Sequence, residues 1–365
     1  MNMPTEMMKP SPLKKGDRIA IVSLSSGILG EPFCKHQVDL GIERLKTLEL
    51  IPVFMNNSLR GVSYLEEHPE ARAQDLIQAF SDRTIKGVLC AIGGIDTYRV
   101  IPYLMNANFK QLIIENPKIF TGFSDTTNNH FMFYKLGMVS FYGPNFLNDI
   151  AELDDEMLPY TLREFQRFFG SAFPYEIESN DRWYEERIQF DASQLGTPRI
   201  SHRELRGYDL IRGKGIVEGR LFGGCLESIV DMFVGDERYQ NIPNIFDSFD
   251  LIPNRDELSE MILFLETSET KVTPKKFESM IDVLIENEFI TSVRMILFGK
   301  PQDEVFYSEY RTILERKNAL KDIPIIFNFN FGHSYPRTLI PYGIQAKFNC
   351  STLKFEIVES YFRGE

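Results

Sequence analysis

The sequence predicts an α/β protein with an N-terminal parallel sheet flanked by helices and a smaller, β-rich C-terminal domain. Apolar strands alternate with amphipathic helices over the first half, a polar segment follows, and strands dominate the remainder. At 365 residues the chain is long for one domain. The expected divisions are 1–170 for the α/β domain, 171–206 for a linker or substrate loop, and 207–365 for the C-terminal mixed domain.

In the first half, the predicted strands are DRIAIVSL, IPVFM, KGVLCAIGG and PKIFTGF. The predicted helices are CKHQVDLGIERLKTL, PEARAQDLIQAFSD, the short TYRVIPYL, and TTNNHFMFYKLG, which Gly137 closes. This alternating order indicates a parallel sheet, and ligand sites in such sheets lie at the carboxyl ends of the strands.

The segment 171–206 is polar and charged, with no sustained helical or strand periodicity. Beyond it, GKGIVEGRLFGG is followed by the strands MILFLET, SVRMILFG and IPIIFNFNFG, by the helix PKKFESMIDVLIEN, and by short strands from TLIPYG through TLKFEIVE. This order predicts a second, mixed domain.

Composition and charge limit the possible partners. Hydrophobic residues make up 43% and charged residues 25%, as in ordinary folded proteins, and the formal net charge of -12 disfavours nucleic acid and anionic lipid surfaces. The four cysteines, Cys34, Cys90, Cys225 and Cys350, lack C-x-x-C spacing, and Cys90 is expected to be a buried, reduced thiol. With no apolar run of membrane-spanning length, the expected location is the cytoplasm.

The segment KIFTGFSDTT contains the candidate nucleophile, Ser124, at a predicted turn from a strand into a helix. A serine hydroxyl needs a base, a group that orients the base, and donors for the oxyanion. The amide of Asp125 is one candidate donor, and Gly93 or Gly94, at the end of a neighbouring strand, offers a second. The alternative is that Ser124 and Asp125 only cap the helix, since Thr126 replaces the second glycine of the G-x-S-x-G motif.

Among the five histidines, His333 is the best candidate base because it follows an apolar strand in NFNFGHSYP. The others lie within helices (His36, His130) or in polar loops (His68, His202), and a structural role is open for each lone histidine. Glu266, at the end of MILFLET, is either a solvated strand end or the acid that orients an imidazole. Because the acid and base fall in the second domain, the predicted site lies between the domains.

Other candidate residues have structural alternatives. Cys225 in LFGGCLES is a possible nucleophile or a packed thiol. Trp183, in the polar segment, either stacks on a ligand or anchors its loop. Arg99, near the glycine pair, either binds a substrate carboxylate or pairs within its own helix. No H-E-x-x-H, C-x-x-C, GxxxxGK[ST] or GxGxxG motif is present, so neither a metal nor an organic cofactor is predicted.

Taken together, LKKGDRIAIVSLSS, IGGIDTYRVIPYL, TGFSDTTNNH with FYGP, GRLFGGCLES, LFLETSE and FNFGHSYPRTLIPYGIQA resemble the LD-carboxypeptidase family of serine peptidases, which includes the microcin C immunity peptidases. The resemblance covers nearly the whole chain. It implies Ser124 as nucleophile, His333 as base, Glu266 as orienting acid, and Asp125 with Gly93 or Gly94 as oxyanion donors. It also implies an N-terminal domain like that of class I glutamine amidotransferases, a homodimer, and no cofactor.

The resemblance leaves the substrate open between a murein tetrapeptide and an aminoacyl nucleotide. The long segment containing Trp183 is similar to the extra loop of the microcin branch, whose tryptophan stacks on a nucleobase, and this favours the aminoacyl nucleotide. Cys225 stands where the family usually has asparagine, so a substrate contact from that side chain is in doubt. A catalytically silent protein that binds a peptide or nucleotide is the alternative from another functional class.

Overall fold

The computed structural model describes residues 6–236, 238 and 240–364, and these form two compact units. The N-terminal unit comprises the described residues of Pro4–Ser171, Arg187–Arg199 and Tyr361–Glu365. The C-terminal unit comprises Ala172–Glu186 and Ile200–Ser360. The polar segment is therefore shared between the two units, and the last residues of the chain pack with the first unit.

The sheet of the N-terminal unit contains five parallel strands in the order β5-β4-β3-β1-β2. These strands are β1 (Arg18–Val22), β2 (Ile51–Phe54), β3 (Ile85–Cys90), β4 (Ile119–Gly122) and β5 (Phe141–Tyr142). Because β1, β3 and β4 are neighbours and parallel, the loops that follow them begin at the same edge of the sheet.

In the part of the chain that the structure describes, seven α-helices accompany this sheet. They are α1 (Lys35–Thr47), α2 (Val62–Glu67), α3 (Pro69–Ser81), α4 (Ile101–Leu104), α5 (Ala107–Glu115), α6 (Thr127–Leu136) and α7 (Pro159–Gln166). A short π-helix covers Phe146–Ile150. Helix α6 is buried along its whole length, and Gly137 ends it in the left-handed conformation that glycine tolerates best.

The sheet of the C-terminal unit contains eight strands in the order β6-β16-β15-β10-β11-β12-β13-β9. Its four central strands, β10 to β13, are parallel, and the outer pairings are antiparallel. The strands are β6 (Tyr175–Ile177), β9 (Asp209–Arg212), β10 (Ile216–Cys225), β11 (Met261–Glu266), β12 (Met295–Gly299), β13 (Ile325–Phe329), β15 (Gln345–Asn349) and β16 (Lys354–Ile357). A separate antiparallel hairpin joins β7 (Arg182–Tyr184) to β8 (Ser201–Arg203), and β14 covers Ile340–Pro341.

The described residues of this unit form five α-helices: α8 (Leu226–Val234), α9 (Ile242–Ser248), α10 (Arg255–Leu258), α11 (Pro274–Glu286) and α12 (Tyr307–Arg316). Helix α11 shows why the sequence folds this way. Thr273 caps it by accepting a hydrogen bond from the Lys276 N–H at 3.3 Å, and Pro274 occupies the first turn. Its buried residues recur with helical spacing: Phe277, Met280, Ile281 and Leu284.

The predicted fold class is confirmed: a mostly parallel, helix-flanked sheet in the N-terminal unit and a β-rich sheet in the C-terminal unit. The C-terminal sheet has more strands than its N-terminal counterpart. The segment 171–206 contains three short strands, β6 to β8. Among the described residues, none of the helices combines the length and apolar character needed to cross a membrane.

Candidate active site

Ser124 lies in the turn between strand β4 and helix α6. Its φ of 65° places it in the left-handed region, which is strained for a residue other than glycine and costs about 1 to 3 kcal/mol. Its N–H donates to the Tyr142 hydroxyl at 3.1 Å, and Thr127 Oγ1 donates to its carbonyl at 2.7 Å. Phe123, rather than Ser124, is the N-cap residue of the short 3-10 turn that precedes α6. This sharp strand-to-helix turn is typical of an activated serine.

The side chain of Asp125 holds the turn in place. It accepts hydrogen bonds from Ser25 Oγ at 2.5 Å, from the Thr97 N–H at 2.8 Å and from Asn128 Nδ2 at 2.8 Å. Burial raises the pKa of this carboxyl to about 6, although the hydrogen bonds from Ser25 and Thr97 oppose the rise. These contacts give the carboxylate a structural role, while the candidate oxyanion donor is the amide of the same residue.

Gly93 follows strand β3 and lies directly beside Ser124. A Cβ at position 93 would stand 2.7 Å from Ser124 Cβ, 2.8 Å from Ser124 Oγ and 3.5 Å from the Asp125 nitrogen. Only a residue without a side chain allows this close approach. Gly94 borders the loop after β1, with Ser25 and Ser26 as its neighbours. The carboxyl ends of β1, β3 and β4 thus bring together Ser25, the glycine pair and the serine turn.

In the C-terminal unit, Glu266 ends strand β11 and pairs with His333. The ring Nδ1–H of His333 donates to Glu266 Oε2 at 2.9 Å, and the backbone N–H of His333 donates to the same oxygen at 3.1 Å. Both side chains are buried, with 1% of Glu266 and 6% of His333 exposed. Gly332, with a φ of 76°, leaves the space that the Glu266 carboxyl fills, and a Cβ there would overlap it. A buried acid that holds Nδ1 leaves Nε2 for proton transfer.

Glu269 contacts that second ring nitrogen, a contact that the sequence analysis had not predicted. Its Oε2 lies 2.9 Å from His333 Nε2, while 59% of the side chain is exposed. Because carboxylates accept and do not donate, both ring nitrogens carry hydrogens and the imidazole is a cation. Burial opposes this charge, but Glu266 and Glu269 outweigh it and raise the pKa of His333 to about 10. The hydrogen bond from His333 in turn lowers the pKa of Glu269 to about 2.

Cys225 ends strand β10 and is the register partner of Glu266 on β11. Its Sγ–H donates to Glu227 Oε2 at 3.4 Å. Burial, then the carboxylates of Glu227 and Glu266, raise the pKa of Cys225 well above its usual value. A thiol held in its neutral form is a poor nucleophile, which disfavours the alternative that Cys225 attacks the substrate. Glu227 and Glu266 thus act on Cys225, the position at which the LD-carboxypeptidase family that the sequence resembles usually has asparagine.

Trp183 and Arg99 each have partners within their own unit. Trp183, on β7, stacks on His202 of β8 with ring centroids 4.2 Å apart, and Lys300 Nζ lies 5.6 Å from its ring centroid. Arg99 donates to the carbonyl of Glu66 at 2.7 Å and pairs with Asp96 at 3.0 Å. The contacts of Arg99 are those expected of the structural alternative.

The remaining histidines have local partners. His130, inside α6, bonds to Ser140 Oγ at 2.8 Å and to the Gly122 carbonyl at 3.0 Å, and burial lowers its pKa to about 3. His36 bonds to the Phe190 carbonyl at 2.9 Å, and His68 bonds to Glu70 at 2.7 Å. Among the histidines in the described part of the chain, His333 differs from the others because it is both buried and in contact with two carboxylates.

Two family models match the chain: the LD-carboxypeptidase N-terminal domain over residues 19–143 and the LD-carboxypeptidase C-terminal domain over residues 218–348. The chain is 26% identical over 360 residues to a protein of Bacillus subtilis named probable murein peptide carboxypeptidase, with 96% of this chain and 94% of that protein covered. It is 25% identical over 369 residues to the microcin C7 self-immunity protein MccF of Escherichia coli, with 97% of each covered.

Among solved structures, the chain is similar to an MccF-like protein from Streptococcus pneumoniae that was crystallised in complex with AMP. The identity is 45%, the TM-score is 0.89, and 95% of this chain and 99% of that chain are covered. Both matched domains, in their expected order, account for most of the sequence. The chain therefore belongs to the LD-carboxypeptidase family of serine-type carboxypeptidases.

Proposed function

We propose that the chain hydrolyses an amide next to a terminal group by acyl-enzyme chemistry. Ser124 Oγ attacks the carbonyl carbon, and His333 takes the hydroxyl proton and then gives it to the leaving nitrogen. Glu266 holds the ring of His333 in the required orientation and stabilises its charge. Water, activated by the same histidine, releases the acyl group. The observation that carries the proposal is the left-handed Ser124 at a strand-to-helix turn.

The proposed oxyanion donors are the amide of Asp125 and an amide from Gly93 or Gly94. Support comes from the close approach of Gly93 to Ser124 Oγ and to the Asp125 nitrogen. An oxyanion formed next to Ser124 would meet amides that the Asp125 hydrogen bonds hold in position. One such donor contributes about 3 to 4 kcal/mol to transition-state stabilisation.

For the substrate, we propose an aminoacyl nucleotide, in which the amide or its analogue joins an aminoacyl group to a nucleotide. Support comes from the 45% identity to the MccF-like protein crystallised with AMP. Trp183 is a flat, half-buried ring on a hairpin and is the proposed stacking platform for the base. The alternative substrate is a murein tetrapeptide, which the similarity to the murein peptide carboxypeptidase of Bacillus subtilis favours.

The test is a parallel assay of an aminoacyl sulfamoyl adenosine and a murein tetrapeptide, with products identified by mass spectrometry. We expect release of the amino acid from the first substrate at a kcat/KM at least tenfold above that for the second. Faster removal of the terminal D-alanine would instead establish the murein alternative. Calorimetric binding of either compound without any product would show a catalytically silent binding protein.

Removing the charge of Glu269 is expected to increase activity at neutral pH. A general base works only when unprotonated, so activity rises with pH through the pKa of His333. Glu269→Gln removes one of the two carboxylates that raise this pKa, so the acid limb of the kcat/KM profile should move to lower pH by about one unit. Glu260→Gln, which removes an exposed carboxylate paired with Arg294, is the matched control. If the acid limb of the kcat/KM profile stays unchanged or moves to higher pH, Glu269 does not raise the pKa of His333.

Adding one methyl group at position 93 is expected to slow the reaction without unfolding the protein. The new Cβ of Gly93→Ala would meet Ser124 Cβ and Oγ, so the hydroxyl must move. A displacement of this size lowers kcat/KM by about 100-fold. In the control, Gly87→Ala on strand β3, which precedes Gly93, the new methyl first meets the side-chain end of Ile19 at 3.0 Å. Equal activity of the two variants would argue against a role for Gly93 at the nucleophile.

We propose a cytoplasmic location and a homodimer, as the sequence resemblance implies. Light scattering coupled to size-exclusion chromatography tests the second point. A mass of twice the 42.3 kDa of the chain is the expected result, and the mass of one chain would contradict it.

A further inference from the structure

Three side chains with different metal-binding chemistry converge in the C-terminal unit. Ligand atoms of Cys225, Glu266 and His333 all lie within 4.8 Å of one another. Cys225 and Glu266 are register neighbours at the ends of β10 and β11, and His333 follows β13 by four residues. All three are buried, with 2% of Cys225, 1% of Glu266 and 6% of His333 exposed. Two of the three residues end central strands, and the third lies in the loop that follows a central strand.

A second carboxylate stands beside the thiol. Glu227 Oε2 lies 3.4 Å from Cys225 Sγ. The other oxygen, Oε1, accepts hydrogen bonds from the Ser268 N–H at 3.0 Å and from Ser268 Oγ at 2.7 Å. These bonds orient the carboxylate so that Oε2 faces the sulfur. The three converging residues therefore supply one thiol, one imidazole and one carboxylate, and Glu227 adds a second carboxylate next to the sulfur.

This donor set suits a divalent cation of intermediate softness. Zn²⁺ takes sulfur, nitrogen and carboxylate oxygen in tetrahedral sites, in which neighbouring ligand atoms lie roughly 3.5 Å apart. A pair of ligand atoms at the 4.8 Å limit would have to close by about 1 Å when the metal binds. Mg²⁺ and Ca²⁺ prefer oxygen-only sites and gain little from the sulfur.

We propose that Cys225, Glu266 and His333 bind one Zn²⁺-like cation, with the Glu227 carboxylate beside the thiol, and that this binding reversibly inhibits the enzyme. Bonds form from the metal to sulfur, to one ring nitrogen and to carboxylate oxygen. Two protons leave to solvent, one from the thiol and one from the imidazolium. The metal thereby replaces the hydrogen bond between His333 and a carboxylate. Binding is independent of the proposed function, whereas inhibition rests on His333 being the base.

The test is titration of the full chain with Cd²⁺ alone, followed by the ultraviolet charge-transfer absorption of a thiolate–Cd²⁺ bond. We expect this band to saturate at one equivalent in the wild type. Cys225→Asn should lose the band and bind Cd²⁺ at least tenfold more weakly by calorimetry. Cys350→Ser, a buried cysteine elsewhere in the same unit, is the matched control and should keep both. Glu227→Gln should keep the band but weaken binding, and this variant retains the thiol if Cys225→Asn fails to fold.

Three results would overturn the metal site. They are a band that persists in Cys225→Asn, a band that is lost in Cys350→Ser, and the absence of a band in the wild type. A second measurement separates this site from the proposed function. Zn²⁺ should inhibit hydrolysis by the wild type at least tenfold, with recovery after chelation, and should inhibit Cys225→Asn much less. If Cd²⁺ binds as described but no substrate is hydrolysed at all, the metal site stands and the proposed function fails.

Discussion

Replacing Ser124 by alanine is expected to reduce kcat by about a million-fold, because the acyl-enzyme can no longer form. Water would have to attack the amide directly, with only the oxyanion donors and binding contacts left to help it. The substrate should still bind, since the hydroxyl contributes mainly in the transition state. Mass spectrometry of products, with single-turnover measurements for the slow variant, gives the rate ratio.

A fluorophosphonate probe supplies an independent measurement for the same change. It should label the wild type on Ser124 and leave Ser124→Ala unlabelled. Ser193→Ala, which alters an exposed serine of the polar segment, should be labelled like the wild type. Equal labelling of the wild type and Ser124→Ala, or failure to label either, would show that another residue is the nucleophile.

Replacing Glu266 by glutamine is expected to reduce kcat by about ten thousand-fold. The amide has nearly the same shape as the carboxylate, so the space left by Gly332 stays filled. Its charge is lost, however, and its NH₂ group can turn toward Nδ1. His333 would then carry its hydrogen on Nε2, where the proton of Ser124 must be received. A change in kcat with little change in KM is therefore expected.

The control for Glu266→Gln is Glu260→Gln, an exposed carboxylate one residue before the same strand. It should leave kcat within about twofold of the wild type, as surface changes away from a site usually do. Thermal unfolding of each variant shows whether a loss of rate accompanies a loss of structure. A fully folded Glu266→Gln enzyme with wild-type kcat would remove Glu266 from the proposed triad.

The sequence was sufficient to predict that the strands of the N-terminal sheet are parallel and that Ser124 follows the fourth of them. Apolar runs bounded by turn residues identify buried strands, and parallel strands bring their carboxyl ends to one edge. The same rule made Glu266 and His333 candidates, because each follows an apolar strand. The structure adds that they are in direct contact, and that Cys225 is the register partner of Glu266.

Two features could not be predicted from the sequence. Glu269 contacts His333 because the chain bends after strand β11, and no local pattern sets that bend. The role of Glu227 depends on hydrogen bonds from Ser268, which is 41 residues away in the sequence. In each case, contacts between distant segments decide the outcome.

Because a side chain at position 332 would overlap the Glu266 carboxyl, the residue at 266 limits which residues position 332 can accept. A glutamate at 266 and any side chain at 332 compete for the same volume, so position 332 cannot accept a side chain while glutamate stands at 266. A library randomised only at 332 should return glycine among its active members. A library randomised at both positions should return pairs in which a larger residue at 332 accompanies a shorter acid at 266.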